Sequence, residues 1–402
     1  MGIDFPKLKQ FMEIPEAAEM LLKRPEKETT LSVNLKIGPN KMLIYSGYVV
    51  YHNSVLGPAK GGVRFAANVT LAETRTLAEL MTHKCALMGL PFGGGKSAIA
   101  FDPKSISEFE RRTLIKEYAH MLRDELTAGA YIPAPDLGST PSDMAIIYGE
   151  THHPESVTGK PPRLGGLPGR REATGRGVST IAASACRQIL GKEVKNAAIA
   201  IQGCGNVGSY TASFLFEKGA NIVALSDVSG GLYSPKGLPV LQILDFIRQG
   251  KLISEYPAGN LQKIENKALL ELPVEILIPA AVENVLNKEN AEKISAKLIV
   301  EAANGPTTVE ADEIFGRKGI VVIPDILANS GGVVASYVEW RNAKSGNQTS
   351  AEEVYQFIDS KVEPAFGEVL YLTKERKADF RNAAYILSVS ELVAAMKERS
   401  WI

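Results

Sequence analysis

Three lysines of this 402-residue chain stand in settings unusual for a long cationic side chain: Lys60 in GPAKGGVRF, Lys84 in MTHKCAL and Lys96 in GGGKSAI. Lysine is rarely buried without a partner, although each of the three reads equally well as a surface lysine resting its stem on apolar neighbours. Lys84 falls on an apolar helical face beside Cys85, Leu87 and Met88, and Lys96 lies between three glycines and a buried strand. The stretch GLPFGGGKSAIAFDP resembles a phosphate loop, but G-x-x-x-x-G-K-[ST] requires glycine at position 90, where Leu90 stands. Gly93 to Gly95 instead leave space beside Lys96. Asp136, in YIPAPDLGST, occupies a loop between a strand and a helix. Such a carboxylate is either held for chemistry or simply closes a turn.

A second constellation concerns a cofactor. Gly203-Cys204-Gly205-Asn206-Val207-Gly208 is G-x-G-x-x-G. It follows the strand AAIAIQ, opens the helix VGSYTASFLFEKG, and leads to a second strand ending in Asp227, 24 residues after Gly203. That context is the one a dinucleotide site requires: two glycines let backbone amides approach the pyrophosphate at a helix N-terminus, and the third lets helix and strand pack. Asp227 is placed to accept the ribose hydroxyls, which favours NAD, while Ser229 and Lys236 in the next loop leave NADP open.

The elements that must position these residues fall into two halves, as the length suggests. In the first, TTLSVNLKI and KMLIYSGYVVYHNS alternate around Gly38-Pro39-Asn40 and read as a hairpin. Thr70 with Glu73, and Ser107 with Glu110, form capping boxes that open helices; SAIAF reads as a buried strand, and Thr140-Pro141-Ser142-Asp143 starts a further helix. Residues 158–177 hold six glycines and three prolines, a density expected to exclude regular structure, and the inter-domain joint is placed there. Beyond it, NAAIAIQ, ANIVALSD, VEILIPA, KLIVEAA and GIVVIPD alternate with helical segments, which argues βαβ units and a parallel sheet. The fold class is thus α/β with two domains: residues 1–165, rejoined by the C-terminal helix from about 375 to 402, and a Rossmann-type domain over 166–374.

Composition narrows the function classes. Lys+Arg and Asp+Glu are equal at 45 each, so charge gives no reason to expect nucleic acid or an acidic membrane as partner. No run approaches 18 apolar residues, and MGIDFPKLKQ lacks a signal peptide's apolar segment. Cys85, Cys186 and Cys204 are odd in number and widely spaced, which suggests a reducing, cytoplasmic setting. The five histidines show no ligand spacing, so no metal is expected.

Ordered motifs carry a resemblance over almost the whole chain from about residue 20: GPAKGGVRF, LPFGGGKSAIAFDP, PAPDLG, GRREATGRGV, GCGNVG, EAANGPTT and ILANSGGVVASYVEW. The chain resembles the glutamate/leucine/phenylalanine/valine dehydrogenase family, most closely the branch that acts on glutamate. The resemblance implies that Lys96 is catalytic, that Asp136 moves protons and that Lys84 binds the substrate α-carboxylate. It also implies that Lys60 and Ser336 bind the side-chain carboxylate, and that Gly61, Gly62 and Met81 are further substrate-binding residues. On the cofactor side it implies Thr174, Ala280, Asn304 and Asn329 beside Gly203, Gly205, Asn206, Val207, Gly208 and Asp227. The implied reaction converts L-glutamate to 2-oxoglutarate and ammonia with NAD, or NADP, in a homohexamer, with an N-terminal domain for substrate binding and oligomerisation. GGGKSA departs toward the leucine and phenylalanine branches, and Cys204 replaces an aromatic common in the nucleotide loop. The alternatives are a leucine, valine or phenylalanine dehydrogenase, in which an apolar residue usually replaces Lys60, and a non-catalytic dinucleotide-binding regulatory subunit, which would be expected to have lost a lysine or the aspartate.

Overall fold

The computed structural model describes residues 2–38 and 41–402. The chain forms two compact units. One gathers Gly2–Arg170, Val333–Val354 and Tyr385–Ile402; the other holds Arg171–Gly332 with Tyr355–Ala384.

The first unit is built on a five-stranded sheet of β1 (Lys27–Gly38), β2 (Lys41–Asn53), β3 (Ala59–Phe65), β4 (Gly93–Ile99) and β5 (Tyr131–Pro135), in the order β1-β2-β4-β3-β5. β1 and β2 pair antiparallel from Lys27↔Tyr51 to Gly38↔Lys41, as the alternation predicts; Pro39 and Asn40 of the expected turn lie outside the described residues. β3 runs parallel to both β4 and β5. Helices α1 (Leu71–Leu87), α2 (Glu108–Met121) and α3 (Pro141–Thr151) accompany the sheet. Val63, Ile99, Leu114, Tyr118, Tyr131 and Met144 belong to one buried apolar core, so the sheet, α2 and α3 share the burial that stabilises them.

Local sequence explains the helix starts, with two corrections. Ser107 and Glu110 close a reciprocal cap on α2, and at α3 the Asp143 carboxylate accepts from both the N–H and the hydroxyl of Thr140. At α1, Thr70 Oγ1 accepts from the Glu73 N–H at 3.1 Å, but the Glu73 carboxylate turns away to Arg64. The expected capping box is half made, because a tertiary partner outbids the local one. The second correction concerns the glycines before Lys96. They do not lead into the strand; they are β4 itself, which begins at Gly93 and is buried along all seven residues.

The second unit carries a seven-stranded sheet: β6 (Ala198–Gln202), β7 (Asn221–Asp227), β8 (Gly230–Tyr233), β9 (Gln262–Ile264), β10 (Ile276–Pro279), β11 (Leu298–Val300) and β12 (Val321–Ile323), in the order β12-β11-β10-β6-β7-β8-β9. β12 through β7 are parallel, and β8 and β9 add an antiparallel edge. The order reverses between β6 and β10, the kind of switch point at which open α/β sheets bind ligands. α4 (Ala173–Ile189) and α5 (Asn206–Glu217) lie in this unit.

Helix α4 corrects the reading of the joint, since residues 173–177 are helical despite Gly175 and Gly177. A β-carbon at Gly175 would sit 2.6 Å from the Tyr210 β-carbon and 2.7 Å from the Thr211 nitrogen, so this glycine permits contact with α5. Three helices end the chain: α6 (Gly331–Ser345), α7 (Ala351–Arg376) and α8 (Phe380–Glu398). The later turns of α8 pack in the first unit, where Ser388 Oγ lies 3.0 Å from His83 Nδ1. Arg399 follows and donates to the carbonyls of Ser54 and Val55. Among the described residues no helix is long and apolar enough to cross a membrane, and no cluster of His, Cys, Asp or Glu could hold a metal ion.

Candidate active site

Strand pairing assembles the first constellation. Register places Lys60 opposite Gly94 and Val63 opposite Ser97, so Gly62 faces Lys96 across the β3–β4 pair. On the other side Val63 pairs with Pro135, which brings Asp136 to the end of β5 next to Gly62 and Arg64. Side chains alternate along a strand, so Lys60, Gly62 and Arg64 share one face of β3. The glycines are required by close approach: a β-carbon at Gly61 would lie 1.7 Å from the Gly95 carbonyl oxygen, and one at Gly62 2.7 Å from the Asp136 β-carbon.

Lys96 and Asp136 meet as an ion pair through Nζ and Oδ2. Asp136 Oδ1 accepts from the Leu137 N–H at 2.7 Å and from Arg64 Nε at 3.2 Å. Burial by itself would raise this carboxyl, but Lys96 and then Arg64 hold it down at about 2. Lys96 is therefore opposed by a fixed counter-charge.

Lys60 is 2% exposed. Burial, and then the Arg170 guanidinium, bring its ammonium down to about 7, against smaller opposing effects of Cys85 and Glu339. Among the described residues no acceptor takes a hydrogen bond from it. Arg170 is half-buried, its charge disfavoured by desolvation and favoured by Glu339. Its Nε has no partner among the described residues. Arg170 is not among the residues expected from sequence; its signal there is an arginine inside the glycine-rich segment GRREATGRGV. Lys60 and Arg170 thus lie near one another in one unit and share Glu339, which is already paired with Lys160, an arrangement that a ligand carboxylate would relieve.

The neighbouring charges are paired. Lys160 and Glu339 form an ion pair at 2.9 Å with both side chains at 0% exposure. Glu339 also accepts from the N–H groups of Gly159 and Lys160, and Lys160 Nζ donates to the carbonyls of Pro154 and Val157. Glu339 lies three residues beyond Ser336 on α6, so the clamp fixes the turn that presents the buried Ser336. Lys84 is buried in the last turn of α1, and Met81 lies one turn earlier. That helix rests on β4, because a β-carbon at Gly94 would fall 2.0 Å from Thr82 Oγ1.

In the second unit, Gly203 follows β6, and Gly205 is the N-cap of α5, which no side chain caps. The first-turn residues Asn206, Val207 and Gly208 open that helix. A β-carbon at Gly208 would lie 1.8 Å from the Gly203 carbonyl oxygen and 3.3 Å from the Ala280 β-carbon, whereas one at Gly205 would meet nothing within 4 Å. Open space beside an uncapped helix N-terminus suits a pyrophosphate. Asp227 ends β7 with Oδ1 held by the N–H and hydroxyl of Ser229 and Oδ2 by the Ile253 N–H. Asn329 Nδ2 donates to Asn304 Oδ1 at 3.0 Å and to the carbonyls of Ala302 and Ala303. Thr174 stands in the first turn of α4. The residues present fit a dinucleotide.

A Rossmann-type unit with an uncapped glycine turn, joined in one chain to a unit holding a largely buried lysine paired with an aspartate, defines a dinucleotide-dependent enzyme class. A family model for glutamate/leucine/phenylalanine/valine dehydrogenase matches residues 165–400, and that for the family's dimerisation domain matches residues 25–153; the chain belongs to this family. It is similar to the NADP-specific glutamate dehydrogenase of Saccharolobus shibatae, with 44% identity over 387 residues, covering 94% of this chain and 90% of that protein. It is similar also to the cryptic catabolic NAD-specific glutamate dehydrogenase of Bacillus subtilis, at 37% identity, covering 96% and 92% respectively. Among solved structures, the hetero-hexameric glutamate dehydrogenase of Thermus thermophilus in its leucine-bound form superposes with a TM-score of 0.90 at 32% identity, covering 98% of this chain and 94% of that one.

Proposed function

We propose that this chain catalyses the oxidative deamination of L-glutamate to 2-oxoglutarate and ammonia, and the reverse reductive amination, with a nicotinamide dinucleotide. The observation that carries the choice of substrate is Lys60, a buried lysine beside Arg170 with no counter-charge committed to it, since Glu339, the carboxylate that acts on it, pairs with Lys160. A side-chain carboxylate supplies that charge; the side chain of leucine, valine or phenylalanine would leave it unpaired.

Lys60, Arg170 and Ser336 take the side-chain carboxylate, and Lys84 takes the α-carboxylate. Gly61 and Gly62 leave room for the ligand, and Met81 adds an apolar wall. Lys96 activates the water that hydrolyses the imine, and Asp136, its ion-pair partner, carries the protons. The nicotinamide supplies the hydride acceptor when bound. Gly203, Gly205, Asn206, Val207 and Gly208 cradle its pyrophosphate, Asp227 accepts the ribose hydroxyls, and Thr174, Ala280, Asn304 and Asn329 complete the site. The Asp227 carboxylate opposes a 2′-phosphate, which supports NAD as the preferred cofactor with NADP as the second.

The working assembly is a homohexamer in the cytoplasm, supported by the hexameric relative and by three free, buried cysteines. A light-scattering mass near 43 kDa, that of one chain, would refute the assembly.

Initial rates on L-glutamate, L-leucine, L-valine and L-phenylalanine with NAD and NADP test the reading. Glutamate is expected to lead, and Lys60→Leu to lose about 30- to several-thousand-fold in kcat/KM on glutamate while losing far less on norvaline or methionine. A parent enzyme that prefers leucine or phenylalanine overturns the substrate assignment. A tenfold preference for NADP in kcat/KM overturns the cofactor assignment alone.

A further inference from the structure

Asp136 has two oxygens and the structure commits them differently. Oδ2 meets Lys96, while Oδ1 receives the Leu137 N–H at 2.7 Å and Arg64 Nε at 3.2 Å. Arg64 spans two carboxylates, since its other terminus engages Glu73 on α1. Glu73 stands three residues after Thr70, where it would ordinarily complete a capping box, yet its carboxylate is spent on Arg64 instead. Gly62 creates the space that the Asp136 side chain occupies, between Lys60 and Arg64 on one face of β3.

A carboxylate at the start of a loop is free to rotate about two torsions. Two donors on one oxygen fix both its plane and the direction of the other oxygen. A guanidinium can do this while held from behind, because its planar fork reaches two acceptors at once; a lysine presents a single point charge.

We propose that Arg64, anchored by Glu73, is a positioning residue that locks one oxygen of Asp136 to the scaffold and thereby turns the other toward Lys96. The proposal rests on reading Lys96 and Asp136 as the proton-handling pair. Arg64 touches neither substrate nor cofactor in this account; it acts through Asp136, so its loss disorders the pair without removing either member.

The test uses Arg64→Ala, Arg64→Lys and Glu73→Ala in the full-length enzyme, with Asp136→Asn alongside. Arg64→Ala is expected to lower kcat by about 10- to 100-fold, the scale of a misplaced catalytic group, with KM for L-glutamate and for the dinucleotide within about threefold. Free guanidinium should restore part of that loss, which a merely structural defect would not allow. The primary isotope effect on kcat with Cα-deuterated glutamate should fall toward unity, because slower proton handling and imine hydrolysis leave hydride transfer less rate-limiting. Arg64→Lys keeps the charge without the fork and is expected between parent and Arg64→Ala. A kcat for Arg64→Ala within twofold of the parent, or a defect confined to KM, overturns the proposal. Should Arg64→Ala fail to fold, the partly exposed Glu73 decides: Glu73→Ala is expected to lower kcat about threefold or more, and an unchanged kcat counts against the anchor and the proposal with it. Asp136→Asn separates the two ideas. Parent-like rates there remove the pair itself, whereas an inactive Asp136→Asn with a fully active Arg64→Ala removes only this inference.

Discussion

The two units build their sites from opposite materials. Around β3 and β4 the site is made of buried and half-buried charge: Lys60 lies beside Arg170, Lys96 and Arg64 share Asp136, and Lys160 is sealed against Glu339. At β6 and α5 it is made largely of missing side chains, with Gly205 facing open space and Gly208 pressed on the Gly203 carbonyl. A substrate that differs from its competitors in charge is selected by desolvated cations. A long polyanion common to many enzymes is better met by backbone amides at a helix end. Substitutions should therefore act electrostatically in one unit and sterically in the other.

The largest effect is expected at the ion pair. Lys96→Ala and Asp136→Asn should each lower kcat by about 100- to 10,000-fold, while dinucleotide binding, followed by fluorescence titration, and the melting temperature stay close to the parent's. Near-parent turnover for Lys96→Ala would dismantle the charge-built half of the comparison.

The glycine-built half is sharpened by a contrast between two alanines. Gly208→Ala places a methyl group against the Gly203 carbonyl, and overpacking of that kind costs about 1–3 kcal/mol, visible as a lower melting temperature together with weaker cofactor binding. Gly205→Ala meets no protein atom within 4 Å and has φ −68°. It should leave stability unchanged and weaken only the dinucleotide. Equal melting shifts for the two would mean that both glycines serve packing.

A smaller and subtler effect concerns protons. Lys60 sits at about 7 in the unliganded protein, below its ordinary 10.5, so burying its charge costs stability that is recovered as pH rises from about 7 toward 10.5. A carboxylate ligand favours the protonated form and moves this group back upward. Binding of 2-oxoglutarate should therefore take up close to one proton per site near pH 8 and almost none near pH 6. Calorimetry in buffers of different ionisation enthalpy measures the uptake, and Lys60→Leu should abolish it. No uptake at pH 8 in the parent would place Lys60 outside the carboxylate site.

Much of this architecture was legible in the chain itself, because the signals are local. The spacing of Gly203, Gly205 and Gly208 between a strand and a helix, the alternation of β1 and β2, and the reciprocal cap at Ser107 and Glu110 each depend on residues a few positions apart. The glycine-rich joint misled for a related reason: composition counts Gly175 as a breaker, and only the neighbouring α5 makes it a helix contact. What the tertiary structure alone decided is which charge meets which. Asp136 finds Arg64 across 72 positions, and Glu339 finds the Lys160 backbone across 179. Glu73 carries a capping pattern in the sequence and serves Arg64 on the preceding strand, β3, in the fold. A charged side chain has no periodicity that names its partner. Its choice follows from desolvation once strands and helices have closed around it, so ion pairs that span the chain emerge only when the whole unit is assembled.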